Sequence, residues 1–528
     1  MATARPLTLH SAVLPAVIQV DRTSSKPLYR QLYDGYREAI VEQRLKAGDR
    51  LPSTRSLAAE LGISRIPVLN AFEQLLAEGY FESRVGSGTF VARSLPDAFF
   101  AARDRVEPMQ RPGRPARRAV SRRAEAILKR RLPVWFTGRG AFAVGHPPAD
   151  SFPLEIWSRL VARRSRDASL LRSPGPLGLP ALREAVAEYL RAARAVRCEA
   201  DQIMIVGGSQ QALDLCARAL LDPGSPVWVE EPGYFGAQRV LELAGARIVP
   251  IPVDAEGLEV EEGIARCRSA RAVFVTPSHQ FPLGVTMSAS RRLRLLDFGR
   301  RSGAWIIEDD YDSEYRYENL PIASLQGLDR DSRVLYIGTF TKTLFISNRL
   351  GYLVLPRDLV DRFAEVRRAM DCFSPVLQQA VMADFLREGH FARYMRRMRV
   401  LCGERRDALV EAVGRELGPS YPILGDRAGT YLCVPLPAGL RDLEISERAA
   451  SQKLWAAPLS DCYRGRARKQ GLVLGYGSTA RAQTVDGVRR LREILAGASS
   501  EEGSSGAKAR PLESTGRIEP ESRVSRTR

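Results

Sequence analysis

The sequence predicts a two-part α/β chain, with a small helical domain at the front and a large domain built on a mainly parallel sheet. The chain has 528 residues, which at about 150 residues per domain is enough for two to four domains. Residues 21–93 combine three helical patterns with one hairpin signal. From about residue 136, short apolar segments alternate with amphipathic ones, which is typical of a largely parallel α/β sheet.

Composition excludes several classes of protein. Apolar residues make up 45% of the chain, which is too many for a disordered protein. No run of about 18 apolar residues is present to span a membrane. Residues 1–20 contain no apolar stretch followed by a small-residue cleavage site, and the 7 Cys form no C-x-x-C pair. We therefore expect a cytoplasmic protein with reduced thiols.

The front domain, residues 21–93, is predicted to contain three helices. Apolar residues at helical spacing precede Gly48, where the first helix should end. Ser53 is the predicted N-cap of the second helix, and the third runs from about Arg65 to Glu78. The turn at 62–64 contains Gly, and two short helices joined by such a turn are typical of a helix-turn-helix.

A hairpin follows the third helix. Residues 80–84 and 89–92 have strand-like composition and flank the sequence VGSG at 85–88. Three helices followed by a Gly-tipped hairpin predict a winged helix-turn-helix, in which the third helix enters the major groove of DNA.

Two strings of this front domain carry a specific resemblance. LPSTRSLAAELGISR (51–65) and AFEQLLAEGYFESRVGSGTFV (71–91) resemble the DNA-binding domain of the GntR family of bacterial regulators. The resemblance implies a double-stranded DNA operator as partner and three DNA-contacting residues, Arg55, Ser64 and Arg65. Pro67 replaces a Thr that is usual in the family, which removes a hydroxyl from the predicted DNA-binding surface.

The positive charge is concentrated between the two domains. The chain carries a net +18, and residues 94–135 hold 11 basic against 4 acidic residues, a net +7. Their Pro, Gly and Arg content predicts a linker, which either is simply solvated or adds sequence-independent attraction to phosphate. We place the large domain at 136–497 and expect the tail at 498–528 to be disordered.

Lysine is scarce in this chain. Of the 79 basic residues, 7 are Lys, and Lys342 is the only one between Lys129 and Lys453. Arg has a pKa above about 12 and does not form an imine under physiological conditions. Lys342 is therefore the candidate for Schiff-base chemistry in the large domain, with a surface salt bridge as the alternative.

Six segments of the large domain read as strands. They are 202–206, 226–230, 272–276, 304–308, 334–338 and 351–355. Ligands of such sheets bind outside the carboxyl ends of the strands. Polar residues follow three of these ends, namely Gly-Gly-Ser-Gln at 207–210, Glu-Asp-Asp-Tyr-Asp at 308–312 and Thr-Phe-Thr-Lys-Thr at 339–343.

These strand ends supply the parts that pyridoxal 5'-phosphate requires. Lys342 would form the imine, Asp309 would pair with the pyridinium nitrogen, and Tyr311 would hydrogen-bond the ring hydroxyl. Arg349 would neutralise the phosphate with its bidentate fork. Helix N–H groups at the Gly-Gly turn would add to the phosphate cradle.

Residues 136–497 resemble the fold-type I aminotransferases, and most closely those of the MocR subgroup of GntR regulators, which join a winged helix to an aminotransferase-like domain. The strings that carry the resemblance are VEEPGY (229–234), TPSHQFPLGV (276–285), IIEDDYDSEYRY (306–317), YIGTFTKTL (336–344) and RLGYLVLP (349–356).

The resemblance assigns further roles. It implies that Tyr234 stacks on the cofactor ring and that His279 lies near it. It also implies a homodimer and a phosphate site formed by Ser209, Gln210, Thr341 and Arg349.

Three departures from working aminotransferases bear on function. Phe281 replaces an Asn that touches the ring hydroxyl, Ser173 replaces a Tyr that reaches the neighbouring subunit, and no Arg for a substrate carboxylate appears around Leu474. Amino-acid turnover is therefore disfavoured, because a buried carboxylate without a cationic partner costs several kcal/mol. Arg464, Arg466 and Arg468, just upstream, are alternative sources of that charge.

We accordingly expect a transcriptional regulator that senses an amine, an amino acid or pyridoxal phosphate itself through an aldimine at Lys342. One alternative is an active aminotransferase with an accessory DNA-binding domain. Another is a DNA-binding protein whose large domain serves only for dimerisation.

Overall fold

The structure is a computed structural model. It describes residues 18, 20–84, 86–93, 119–129, 134–148, 151–317 and 323–505. The chain divides into two compact units, Met1–Ala119 and Val120–Arg528, and each has its own hydrophobic core. Among the described helices, none has the length and apolar content needed to cross a bilayer.

The first unit is a three-helix bundle with a hairpin. Its elements are α1 (Leu28–Val41), α2 (Thr54–Glu60), α3 (Arg65–Ala77), β1 (Phe81–Arg84) and β2 (Gly88–Val91). The two strands pair antiparallel, with Phe81 opposite Val91. Tyr36 of α1 packs edge-to-face on Phe72 of α3 and on Phe81, with ring centroids 5.5 Å apart in both pairs. This arrangement confirms the winged helix-turn-helix.

The N-terminus of α2 forms as the sequence predicts. Ser53 is its N-cap, and the Ser53 hydroxyl accepts a hydrogen bond of 3.1 Å from the Ser56 N–H. This bond satisfies one of the N–H groups that a helix start leaves without an intrahelical partner.

The second unit is built on a mixed sheet of eight strands within the described residues. They are β3 (Ile203–Val206), β4 (Pro226–Glu231), β5 (Arg247–Asp254), β6 (Gly257–Leu258), β7 (Ala272–Val275), β8 (Trp305–Asp310), β9 (Val334–Thr339) and β10 (Gly351–Val354). Their order is β3-β10-β9-β8-β7-β4-β5-β6. The pairs from β9 to β5 are parallel, whereas β10 and β6 run antiparallel to their neighbours. The predicted, mainly parallel α/β sheet is confirmed.

Helices cover this sheet, and a second, antiparallel sheet lies near the C-terminus. The helices are α4 (Arg122–Lys129), α5 (Val134–Thr137), α6 (Leu154–Arg164), α7 (Pro180–Arg194), α8 (Ser209–Leu220), α9 (Phe235–Ala244), α10 (Val260–Cys267), α11 (Ala289–Ser302), α12 (Leu325–Leu328), α13 (Val360–Met370), α14 (Val376–Arg387), α15 (His390–Glu416), α16 (Asp442–Ser451) and α17 (Arg481–Ser505). The second sheet has the order β11 (Tyr431–Pro435), β13 (Gly471–Gly475), β12 (Ala457–Pro458).

Strand β5 is absent from the six strands that the sequence predicts, because it contains Pro250 and Pro252. Proline donates no ladder hydrogen bond and is expected only at an edge or a bulge. The strand tolerates both residues because it pairs along its length with β4 alone. On its other side only Val253 and Asp254 pair with β6.

Two helices extend into segments that were predicted to lack structure. Helix α4 lies within the predicted linker 94–135, and its Arg123 approaches the Ala244 carbonyl at the end of α9. Helix α17 continues to Ser505, past the predicted start of the tail at 498. Residues 94–118 and 506–528 lie outside the described residues, and the domain limits stay predictions.

Candidate functional site

Side chains from three strand ends meet at one edge of the large sheet. The Ser209 hydroxyl, at the start of α8, donates a hydrogen bond of 3.1 Å to Asp309 Oδ1 at the end of β8. Lys342 follows β9, and its cation acts on Asp309. The structure therefore brings together the three segments on which the sequence prediction rests.

Asp309 is a buried carboxylate, with 5% of its surface exposed. Burial raises the pKa of Asp309 to about 7, although the Ser209 hydrogen bond and the Lys342 cation oppose the shift. A cation placed against Asp309 would therefore gain an ionised partner, whereas an empty site leaves the carboxylate partly protonated near pH 7.

The neighbours of Asp309 along β8 have structural partners. Because side chains alternate across a strand, Glu308 and Asp310 point away from Asp309. Glu308 accepts hydrogen bonds of 2.9 Å from the N–H groups of Leu325 and Gln326. Asp310 pairs with the buried Arg194 at 2.7 Å. Asp309 therefore lies on the face of β8 that belongs to the site, whereas Glu308 and Asp310 on the other face bind neighbouring segments.

Lys342 is held by a segment that precedes the sheet. Its Nζ donates a hydrogen bond of 3.1 Å to the carbonyl oxygen of Gly145. Burial lowers the pKa of Lys342, and the Arg349 cation lowers it further, against the influence of Asp312 and Asp309. A depressed amine pKa increases the fraction of neutral amine, which is the nucleophilic form.

A second group of residues converges on Gly208, the residue before α8. A Cβ added to Gly208 would lie 3.5 Å from Arg349 Nη1 and 3.6 Å from Thr341 Oγ1. The Thr341 hydroxyl is buried and has no hydrogen-bond partner among the described residues. The first N–H groups of a helix also lack intrahelical partners. This arrangement of a hydroxyl, a guanidinium and helix N–H groups suits a phosphate.

Ser209 and Gln210 were predicted to hold the phosphate, but their side chains make other hydrogen bonds. The Ser209 hydroxyl points to Asp309, and Gln210 Nε2 donates a hydrogen bond of 2.8 Å to the Tyr234 hydroxyl. The charges of Asp309 and Arg349 also act on the Tyr234 hydroxyl. Both residues therefore lie at the site, where their backbone N–H groups are the better candidates for phosphate contact.

His279 and Tyr311 form a buried polar cluster behind Lys342. His279 Nδ1 lies 3.0 Å from Asp312 Oδ2, and Asp312 in turn acts on Lys342. The other ring nitrogen, Nε2, is buried and has no hydrogen-bond partner among the described residues. The Tyr311 hydroxyl lies 2.8 Å from the His279 carbonyl oxygen and 2.8 Å from the Tyr431 hydroxyl.

Sequence reasoning missed three residues of this site: Gly145, His146 and Tyr431. Gly145 has φ +79, and a Cβ there would lie 2.5 Å from Lys342 Nζ. No local signal singles out Gly145 and His146, because Gly389 and His390 form the same pair elsewhere in the chain. Tyr431 lies in β11, and no local pattern marks it.

Two of the three positions that depart from working aminotransferases, Phe281 and Leu474, are buried apolar residues. Phe281 is buried, and its ring packs edge-to-face on Tyr234 with centroids 5.9 Å apart. Leu474 is fully buried in β13. Of the three alternative sources of positive charge, Arg464 is paired with Glu242, and Arg466 and Arg468 are exposed. The Ser173 hydroxyl accepts a hydrogen bond of 3.3 Å from the Gly175 N–H.

The three predicted DNA-contacting residues cluster at the helix-turn-helix. Arg55 lies in the first turn of α2, and Ser64 and Arg65 begin α3. All three are exposed. Ser64 is the N-cap of α3, but its hydroxyl makes no capping hydrogen bond, and Arg65 Nε donates a hydrogen bond of 3.1 Å to Thr54 Oγ1.

Comparisons with known proteins match both units. Residues 141–468 match the family described as aminotransferase class I and II, and residues 28–91 match the bacterial regulatory proteins of the gntR family. The chain is 41% identical over 481 residues to the probable rhizopine catabolism regulatory protein MocR of Rhizobium meliloti, covering 91% of this chain and 96% of that protein. It is 30% identical over 468 residues to the pyridoxine biosynthesis transcriptional regulator PdxR of Corynebacterium glutamicum, covering 88% and 95%.

A solved structure matches the second unit. It is LysN, an α-aminoadipate aminotransferase of Thermus thermophilus, complexed with N-(5'-phosphopyridoxyl)-L-leucine. The TM-score is 0.63 and the identity 28%, over 72% of this chain and 96% of LysN. With the winged helix-turn-helix at its front and this fold behind it, the chain belongs to the MocR subfamily of GntR-type transcriptional regulators.

Proposed function

We propose that this regulator binds a double-stranded DNA operator through Arg55, Ser64 and Arg65, and binds pyridoxal 5'-phosphate at Lys342. Its second unit senses a small amine, an amino acid or the cofactor itself. The observation that carries the proposal is the cluster of Lys342, Asp309 and the Gly208 cradle in a chain that also has a winged helix-turn-helix.

Each residue of the cluster has a defined task in this proposal. Thr341, Arg349 and the N-terminus of α8 hold the phosphate, because all three lie around Gly208 and the Thr341 hydroxyl lacks a hydrogen-bond partner among the described residues. Asp309 accepts the pyridine N–H, and because burial raises its pKa to about 7, its ionisation responds to a cation placed there. Tyr234 and His279 would lie next to the cofactor ring.

Lys342 anchors the cofactor. Pyridoxal phosphate would supply an aldehyde, which condenses reversibly with primary amines and releases water, so Lys342 and a ligand amine would compete for it. The Gly145 carbonyl positions Nζ, and burial keeps part of the lysine in its nucleophilic form. A Lys342 amine released by a competing ligand would remain under the influence of Asp312 and Asp309.

The covalent anchor is tested with the full-length protein. Pyridoxal phosphate is added, the visible spectrum is recorded, and borohydride is then used to fix the cofactor to its amine. Mass spectrometry of the peptides should find it on Lys342. Lys453→Ala serves as the matched control, because Lys453 is the next lysine along the chain. An unchanged spectrum in Lys342→Ala contradicts the proposal.

The regulatory half is tested by DNA affinity. Operator binding is measured with cofactor alone and with a series of primary amines and amino acids, and at least one should shift the absorbance and the DNA affinity together. If neither the cofactor nor any amine changes the operator affinity, the second unit serves only as a scaffold. Because an operator is its target, the protein would act in the cytoplasm.

Catalytic turnover is the second candidate, and the intact Lys342 and Asp309 favour it. Against it stands the buried, apolar Leu474 where a carboxylate-binding Arg is expected. Of the nearby alternatives, Arg464 is paired with Glu242, and Arg466 and Arg468 are exposed. Sustained formation of a keto acid from an amino acid, lost in Lys342→Ala, would establish an enzyme.

We also propose that the chain acts as a homodimer, as the family resemblance implies. In support, Leu171 is 89% exposed and lies next to the loop at 173–178, where related chains reach a neighbouring subunit. Light scattering of the full chain should give a mass near twice 58.5 kDa. A monomer at micromolar concentration contradicts this part of the proposal.

A further inference from the structure

His146 lies next to the reactive lysine, and the function proposed above gives it no role. It follows Gly145, whose carbonyl accepts the Lys342 hydrogen bond at 3.1 Å. The imidazole is partly buried. It makes no hydrogen bond or ion pair with any residue in the described part of the chain. The His146 imidazole lies next to the lysine that would react with ligands, and it is therefore available to contact a ligand.

The loop after β13 packs against the same segment. A Cβ on Gly477 would collide with the His146 carbonyl oxygen, and one on Gly475 would collide with that of Ala143. The next residue, Ser478, has a buried hydroxyl with no hydrogen-bond partner among the described residues. The region where an Arg for a ligand carboxylate was expected, and not found, therefore adjoins His146.

The charges that face His146 are positive. Lys342 lies across from it, and Arg139 acts on it from the same segment of chain. Arg405, on the helix behind, donates to the Gly477 carbonyl. Burial lowers the pKa of His146, and the Lys342 and Arg139 cations lower it further. The ring is therefore neutral at pH 7, and an anion beside it would draw a proton onto it.

We propose that His146 is the subsite for the carboxylate of the ligand that reaches Lys342, and that it takes up a proton when this carboxylate binds. The ligand class is then a primary amine that carries a carboxylate, such as an amino acid, rather than a simple amine. This inference rests on the proposed function, since the ligand is the amine that the Lys342 site admits.

The first test uses a matched pair of probes. L-alanine and ethylamine share an amine and differ by the carboxylate, and both are titrated into the cofactor-loaded full chain at pH 8 and pH 6 with cofactor absorbance as readout. The ratio of alanine affinity to ethylamine affinity should rise by about tenfold or more at the lower pH, because proton uptake is linked to carboxylate binding. His146→Asn should make the ratio independent of pH.

His390→Asn is the control, because His390 is half-buried at the start of α15, pairs with Glu388 at 3.1 Å and takes no part in the site. It should keep the pH-dependent ratio. A ratio that does not change with pH in the parent protein, or that changes equally in His146→Asn, overturns the proposal. If borohydride fixes the cofactor to Lys342 but neither probe binds, the carboxylate subsite is overturned while the proposed function stands.

The second test needs no cofactor and so separates the two proposals. The chain has 4 His, so a protein labelled at histidine Cε1 gives few ring signals, and His146→Asn identifies the one to follow. Its titration midpoint should rise when sodium acetate replaces sodium chloride at equal ionic strength. It should also rise in Lys342→Met, which removes the nearest cation. Identical midpoints in acetate and chloride overturn the carboxylate subsite, even if the borohydride test succeeds.

Discussion

Lys342 donates a hydrogen bond from Nζ to the carbonyl oxygen of Gly145, which lies 197 positions earlier in the chain. The contact requires a residue without a side chain. Gly145 has φ +79, and a Cβ would lie 2.5 Å from Nζ. The lysine is therefore positioned by a backbone carbonyl, and a Cβ at position 145 would push Nζ away from it.

Gly145→Ala should reduce attachment of the cofactor to Lys342 by about tenfold or more, because the new Cβ displaces Nζ. Both this variant and Gly418→Ala force alanine into a positive φ, which costs about 1–2 kcal/mol. Gly418 has φ +78 and nothing within 4 Å of a Cβ, so it is a matched control for backbone strain. The measurements are urea unfolding and cofactor absorbance after borohydride.

Similar loss of stability in the two variants, with loss of attachment in Gly145→Ala alone, is the expected pattern. Equal attachment in both variants would show that the Gly145 contact does not position Lys342.

Asp309→Asn should stabilise the cofactor-free protein at alkaline pH. Burial raises the pKa of Asp309 to about 7 from an ordinary value of 3.8. The folded state therefore holds this proton longer than the unfolded state. The stability that the proton provides is fully present below about pH 4 and is lost as the pH rises through 7. Asparagine resembles the protonated acid and avoids this loss.

The difference in urea midpoint between Asp309→Asn and the parent should grow from pH 4 to pH 8, while cofactor binding weakens. Asp201→Asn is the control, since Asp201 is largely exposed and pairs only with Arg357 among the described residues. A variant that is less stable than the parent at pH 8 contradicts the assigned shift.

Much of this site was predictable because strand ends are marked in sequence. The segments that end in Ser209, Asp309 and Lys342 are apolar runs followed at once by polar residues, and parallel strands bring such ends to one edge. The lone lysine between positions 129 and 453 added a chemical signal of its own. These features are local or compositional, and they need no knowledge of long-range packing.

What escaped prediction depends on contacts between distant segments. Gly145 and His146 reach the site from a loop before the sheet, and the Tyr431 hydroxyl reaches Tyr311 from another sheet. The direction of the Ser209 hydroxyl was also missed, since the choice between phosphate and Asp309 is made by side-chain rotation. Pairwise geometry of this kind leaves no periodic trace in the chain.

Asp310→Ala should destabilise the second unit by about 3–5 kcal/mol, because it leaves Arg194 buried without its partner. The two side chains are 1% and 3% exposed and lie 2.7 Å apart. Burial would raise the pKa of Asp310, but Arg194 and the Tyr336 hydroxyl hold it below its ordinary value. The stability from this pair is therefore present above the unfolded pKa and is lost in strong acid.

Urea unfolding at pH 7 measures the loss. The double variant Arg194→Met with Asp310→Leu should recover most of it, because a buried ion pair can be replaced by apolar side chains of similar volume. A double variant as unstable as Asp310→Ala would mean that Ser278 and Tyr336, which also bond to the pair, contribute the greater part.

Arg65→Ala should weaken operator binding by about 1–3 kcal/mol if the guanidinium reads a base edge in the major groove. Arg65 begins α3, the helix predicted to enter the major groove, and its Nε donates a hydrogen bond of 3.1 Å to Thr54 of α2. Within the described residues the other guanidinium nitrogens make no hydrogen bond, so they are available for the predicted DNA contact. The operator is first selected from random duplexes with the parent chain, and affinities are then compared on that operator and on unrelated DNA.

Because a base contact gives sequence discrimination and a phosphate contact does not, the two substrates separate the roles. A loss confined to the operator assigns Arg65 to base readout, whereas an equal loss on unrelated DNA, with a smaller salt dependence, assigns it to phosphate. Arg218→Ala, in α8 of the second unit, is the charge-matched control, since Arg218 pairs with Asp214. If Arg65→Ala binds both duplexes as tightly as this control does, Arg65 is a solvated charge and the recognition surface of α3 must be reassigned.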